Sequence, residues 1–217
     1  IVAAVSSPLF LSVPGDRRTE RFARCVFGLA LFGLGSAMFL VSELGAAPWD
    51  VFHQGVSERL GIGIGVVMIA TGAAVLLLWI PLRVRPGIGT VLNVVMIGVV
   101  VDLVLPHLPE PDPLLPRAAL LVAGVAVIAV GSALYIGPGL GPGPRDGLMT
   151  GFARRGLSIG FARTAVEVSV LVGGIALGGS AGIGTAVFAF GIGPMVQLLM
   201  PRFAMPSPAS RPELAPA

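Results

Sequence analysis

Crossing a bilayer as an α-helix takes about 20 consecutive, mostly apolar residues, because each backbone N–H and C=O must be satisfied within the segment. This chain carries six such runs, over 24–42, 62–82, 88–105, 117–137, 160–179 and 183–200. Its 217 residues are 55% hydrophobic and only 12% charged. A soluble domain carries about twice that charge, so water alone cannot solvate this surface. The lipid bilayer is therefore the expected partner. A typical cytosolic enzyme, a disordered chain and a collagen-like repeat are excluded. The single cysteine, Cys25, excludes a disulfide framework and a cysteine-built zinc site, and two histidines, His53 and His107, argue against a histidine-built metal. Neither a cofactor nor a metal is expected.

The charges set an orientation. The net charge is +3, and every basic residue is an arginine. A basic balance in a soluble protein would suggest nucleic acid. Here the arginines sit in short clusters between apolar runs, so they read as membrane-orienting charges and no nucleic-acid partner is expected. With the N-terminus inside, every arginine except Arg59 and Arg117 falls on the inner side. That bias predicts cytoplasmic N- and C-termini. Residues 1–13 are apolar but too short to span, and their basic cluster follows them, unlike a signal peptide. Residues 1–20 therefore read as a cytoplasmic lead-in, 106–116 (PHLPEPDPLLP) as an external Pro-rich linker, and 201–217 as a disordered cytoplasmic tail.

Self-similarity divides the remainder into two membrane repeats, 21–105 and 117–200. Leu44, Gly45, Pro48, Asp50, Gly55 and Arg59 recur as Leu140, Gly141, Pro144, Asp146, Gly151 and Arg155, offset by 96. After one deleted residue the offset is 95, and Gly65, Gly87-Ile88-Gly89-Thr90 and Gly98 recur as Gly160, Gly182-Ile183-Gly184-Thr185 and Gly193. Each repeat holds three spans. An odd number makes the second copy enter the membrane from the opposite side, so the repeats are predicted to be inverted, as in many transporters whose sites lie at the repeat interface. Duplication serving packing alone is the other reading.

Four motifs, LGxxPWDVxHQG (44–55), LWIPLRxRPGIGT (78–90), LYIGxGLGPGPRDGLMTG (134–151) and GGSAGIGTAVFAFGIGP (178–194), resemble the bacterial YczE/YitT-like integral membrane proteins, the YczE-type branch most closely. The resemblance covers roughly 24–200. It implies a multi-pass protein of a bacterial plasma membrane, and it transfers no catalytic residues.

Polar residues within or beside the spans are the candidates for function. Asp50 and Asp146 each stand two residues after a proline that suits the first turn of a helix. They are either helix-start residues answering free N–H groups or, if these short helices are re-entrant, intramembrane carboxylates, which are costly and usually functional. An interfacial helix is the third option, since Trp49, Phe52, Val56 and Leu60 form an apolar stripe over 48–60. His53 lies three residues after Asp50, on the same face, and could relay a proton or simply sit at the interface. Glu167 falls about seven residues into the fifth span, roughly 10 Å deep, where it must face the bundle interior or a partner: either it makes a local pair with Arg163 one turn earlier, or it is a proton- or substrate-linked carboxylate. Asn93 is a weaker pore-lining candidate. Thr90 and Thr185 line a pore or cap and bridge helices. Asp102 and Gln197 occupy equivalent span ends, with Asp102 expected to be solvated.

No nucleophile–base arrangement appears, and GPGLGPGPRDG lacks the ending of a phosphate loop. No enzyme activity is expected. The expectation is an all-α membrane protein: six transmembrane helices as two inverted three-helix repeats, each with an extra short re-entrant or interfacial helix. The polar pathway would comprise Asp50, His53, Asn93, Asp146, Arg163 and Glu167, moving a small solute or a proton. A non-transporting scaffold or accessory protein is the alternative. Nothing in the sequence speaks to oligomeric state.

Overall fold

A computed structural model describes residues 10, 11 and 13–205. Residues 1–9, 12 and 206–217 lie outside the described residues, and with them most of the expected tail and much of the expected lead-in. The described chain is all-helical: α1 (Arg18–Val41), α2 (Pro48–Leu60), α3 (Ile64–Leu82), α4 (Ile88–Val104), α5 (Leu114–Ile136), α6 (Pro144–Ala153), α7 (Ile159–Ala176) and α8 (Ile183–Phe203). A single 3-10 turn, Leu105–His107, follows α4. Among the described residues, six helices are long and apolar enough to cross a membrane, and α2 and α6 are the two short ones. Large apolar side chains point outward along the spans, for example Phe27, Leu77, Val122 and Phe190. Water would not tolerate that surface, and lipid does. The protein is a multi-pass membrane protein.

Helix ends follow local chemistry. Pro48 and Pro144 open α2 and α6, where a missing N–H costs nothing. Gly45 and Gly141 precede them at φ +105° and +127°, a backbone region open to glycine. α8 runs to Phe203, beyond the expected span end at 200, because the chain continues onto α5: Met205 N–H donates to the Gly137 carbonyl at 2.8 Å. α1 likewise starts at Arg18, inside the expected lead-in, with Glu20 placed in its first turn.

The two similar stretches hold each other through matching contacts. α1 and α5 cross so closely that a Cβ at Gly28 would strike the Gly131 carbonyl, and one at Gly35 the Gly124 carbonyl. With the 96-residue offset, these two contacts are each other's counterparts. Arg21 donates to the Pro138 carbonyl at 2.6 Å, and its counterpart Arg117 donates to the Ser42 carbonyl at 2.8 Å. Thr90 Oγ1 donates to Pro142 O and Thr185 Oγ1 donates to Ala46 O, both at 2.7 Å. Each threonine also accepts its own N-cap N–H, from Gly87 or Gly182. Gly89 N–H donates to Leu140 O, and Gly184 N–H to Leu44 O. Thr90 and Thr185 are therefore caps and bridges between stretches, and neither is free to line a pore.

Asp102 departs from expectation. It is half-buried, and its carboxylate accepts from Gly65 N–H at 2.7 Å and Val66 N–H at 3.2 Å. It answers the free N–H groups of α3, whose own N-cap, Gly63, offers no side chain.

Candidate functional site

A cavity of about 300 Å³ lies in the middle of the bundle and takes lining residues from all eight helices. Its polar side is built where α2 and α6 begin. The side chain of Arg145 in α6 lies over the Trp49 ring in α2, with Cζ 4.8 Å from the ring centroid. Its guanidinium stands 3.8 Å from Asp50 Oδ1. Trp49 and Arg145 are counterparts under the 96-residue offset. Each is held from behind: Trp49 packs with Val75, Trp79 and Leu148, and Trp79 Nε1 donates to the Pro144 carbonyl at 3.1 Å.

From that stacked pair, charges alternate across the cavity. On one side Asp50 Oδ1 meets His53 Nδ1 at 3.2 Å, both residues buried. On the other, Asp146 lies within electrostatic reach of Arg145 and Arg163, with Tyr135 lining the same space. Arg163 Nε donates to Glu167 Oε1 at 3.0 Å, one turn along α7. Asn93 of α4 lines the same space. Trp49 Nε1, buried beside the cavity, is a donor with no hydrogen-bond partner among the described residues.

Of the six residues singled out in the sequence, His53, Asn93, Asp146, Arg163 and Glu167 line the cavity. Asp50 sits behind His53 and reaches the cavity only through it and Arg145. Asp50 and Asp146 both stand in the first turn of their helices, as expected of helix-start acids, behind the N-caps Ala47 and Gly143, which make no side-chain cap. His53 is 2% exposed, which corrects the reading of a polar interfacial histidine. Arg163 and Glu167 do form the local pair, and they face the cavity as well. Three site residues escaped the sequence reading: Trp49, Tyr135 and Arg145. Position 49/145 carried a signal, because it lies between a proline and an aspartate that recur while it changes from Trp to Arg. Tyr135, the chain's single tyrosine, carried none beyond its rarity.

The architecture is that of a polytopic membrane protein with a charged central cavity. Its residues 19–201 match DUF6198, a family of unknown function, and the chain belongs to that family. It is 38% identical over 176 residues to an uncharacterized protein of Haemophilus influenzae, covering 81% of each chain. It is 30% identical to the uncharacterized membrane protein YczE of Bacillus subtilis, covering 81% of this chain and 83% of that one. YyaS of the same organism, also uncharacterized, is 26% identical over 80% of this chain and 89% of its own. The YczE-like resemblance of the motifs is thereby borne out. No solved structure matches.

Proposed function

We propose that the protein moves a small polar solute across a bacterial plasma membrane, with the cavity between α2 and α6 as its binding site. The observation that carries this is the alternating set of charges in a cavity enclosed by spanning helices. Ionisable groups at that location are expensive, and their usual justification is a substrate or ion pathway. Trp49 Nε1, without a partner among the described residues, adds a donor that a solute oxygen would satisfy.

In this reading the halves are inverted repeats related by a pseudo-twofold axis in the membrane plane. The exchanged bonds of Arg21 and Arg117, and of Thr90 and Thr185, support it, because a twofold axis maps each contact onto its counterpart. α2 and α6 are then re-entrant. The rise from Leu60 back to Trp49 amounts to about 16 Å of helix, half of a hydrocarbon core of about 30 Å. Packing of Trp49 on Val75, in the middle of α3, agrees with that depth. Both termini are cytoplasmic, since the face bearing Arg154 and Arg155 also holds the arginines ahead of α1 and at the end of α8.

The test is uptake into proteoliposomes of a panel of radiolabelled amino acids, amines and small organic acids. Saturable uptake of one class, lost in Asp146→Asn while the variant still elutes as a folded species, supports the reading. No uptake of any class, together with a cavity that admits no water-soluble thiol reagent, would leave a scaffold or accessory role in its place.

A further inference from the structure

The seams α3–α4 and α7–α8 are built from corresponding residues and are not in the same state. In the first, Gly65 and Gly98 lie against each other's carbonyls so tightly that neither admits a Cβ, Gly72 packs on Val94, and Asp102 ties α4 to the start of α3. The counterparts in the second are Gly160, Gly193, Glu167, Ala189 and Gln197. Among the described residues, Gly160 and Gly193 have nothing within 4 Å of an added Cβ, so the two glycines suited to close packing lie apart. α7 starts independently of α8, with Ser158 Oγ accepting from Phe161 N–H at 3.2 Å.

The cavity follows the same asymmetry. It runs between α7 and α8 as far as Arg163, Gly193 and Gln197, and on the other side it ends at Met68 and Ile97, short of Gly65, Gly98 and Asp102. With six crossings, the start of α3 and the start of α7 lie on opposite faces. The cavity is thus shut at one face by a glycine-to-glycine seam and open at the other through an unclosed copy of that seam. Pro194 inside α8, next to Gly193, breaks the helical hydrogen-bond ladder where the open seam would bend.

We infer that the α3–α4 and α7–α8 seams are the two gates of this cavity and close in turn, Gly160 meeting Gly193 as Gly65 releases Gly98. The inference rests on the transport reading and supplies its alternating step. Volumes are compensated for the exchange: where the closed seam sets Gly72 against Val94, the open one would set the larger Glu167 against the smaller Ala189. Closing it carries Glu167 into a helix interface, where its charge must stay paired with Arg163 or be neutralised. Opening the first costs the two hydrogen bonds of Asp102.

The experiment uses a reporter and a lock in the full chain. In a Cys25→Ser background, Thr71→Cys in the cavity wall reports access, and Gly160→Cys with Gly193→Cys forms the lock, two positions with room for a side chain. With the lock reduced, a membrane-impermeant thiol reagent should modify position 71 only from the face bearing Arg154 and Arg155. With the lock bridged by oxidation or a short bis-maleimide, that reactivity should be lost and should appear from the opposite face. Asp102→Asn, which weakens the first seam, should raise the yield of the bridge. Unchanged reactivity with the lock bridged overturns the gate but leaves an accessible cavity and the transport reading standing. A lock that neither oxidation nor bis-maleimide bridges, or a bridge that brings no reactivity from the other face, also overturns it. Reactivity from neither face in either state sinks the transport reading itself.

Discussion

Set side by side, the segments 44–60 and 140–156 agree at their edges and differ at their tips. Arg59 donates to the Ala176 and Leu177 carbonyls, and Arg155 to the Pro81 carbonyl, which are corresponding places. Gly55 lies on Gly174, Leu177 and Gly179, while Gly151 lies on Leu82 and Val84. Between these shared contacts, Trp49 faces Arg145, and His53 stands where the other copy has Met149. A residue at an edge touches an element of the other half, so both copies need the same side chain for the same job. A residue at the tip touches its own counterpart. Two arginines there would repel and two tryptophans would carry no charge, so only a difference between the copies makes the stacked pair. The stacked, charged contact on the cavity lies where the copies diverge.

The sharpest way to break that comparison is to make the tips alike. Trp49→Arg removes the ring that packs on Trp79 and sets two guanidiniums together, and it should cost about 3–5 kcal/mol of stability, the range for losing a buried aromatic. The exchanged pair, Trp49→Arg with Arg145→Trp, should recover about 1–2 kcal/mol relative to the sum of the single variants, the size of a desolvated cation–π contact. Thermal unfolding in detergent measures all three. Additive losses would mean the stacking of Arg145 on Trp49 contributes nothing.

The next comparison sets one seam against the other. Gly65→Ala pushes a methyl into the Gly98 carbonyl and separates α3 from α4, so it should destabilise by about 1–3 kcal/mol. Gly160→Ala, its counterpart, meets nothing among the described residues and should change stability by less than about 0.5 kcal/mol. Equal effects on the unfolding midpoint would contradict the difference between the seams.

Much of the frame was legible because bilayer thickness and backbone satisfaction leave few choices for a chain this apolar. The six spans, the two short helices and the recurrence of Asp50 as Asp146 follow from length, proline placement and offset alone. The groups facing those aspartates from other helices did not, because linear spacing reports only neighbours on one helix. Arg163 with Glu167 and His53 with Asp50 were visible for that reason, at four and three residues apart. Arg145 with Trp49, at 96 residues, was not. Asp102 is half-buried where its place at a span end suggests solvation, because its partners are backbone N–H groups of α3, which no side-chain pattern announces.

Arg21 and Arg117 make the same cross-connection in different surroundings. Arg21 is 1% exposed and holds Pro138 O and Met205 O, whereas the Arg117 side chain is 24% exposed and holds Ser42 O and Glu43 O. Removing Arg21 leaves buried carbonyls without a donor, a loss of about 1–3 kcal/mol. Arg21→Met should therefore lower the unfolding midpoint more than Arg117→Met, whose carbonyls can turn to water or headgroups. The reverse order would show that burial does not set the strength of this connection.

The smallest effect comes from the carboxylate that accompanies Arg21. Asp16 stands just ahead of α1 and receives Arg21 Nη2 at 2.9 Å, and this hydrogen bond holds its carboxyl below the ordinary aspartate value. A group whose pKa is lowered by folding stabilises the fold above its unfolded-state value and loses that contribution as pH falls through the folded-state value. The parent protein should thus exceed Asp16→Asn in stability at neutral pH, and the gap should narrow only below about pH 4, where aspartate ordinarily titrates. Arg21 keeps its bonds to Pro138 and Met205 at every pH in this range, so the gap stays small even when fully open. Paired unfolding curves of the two proteins at successive pH values decide it. A gap that widens on acidification would mean that the Asp16 carboxylate opposes the folded state.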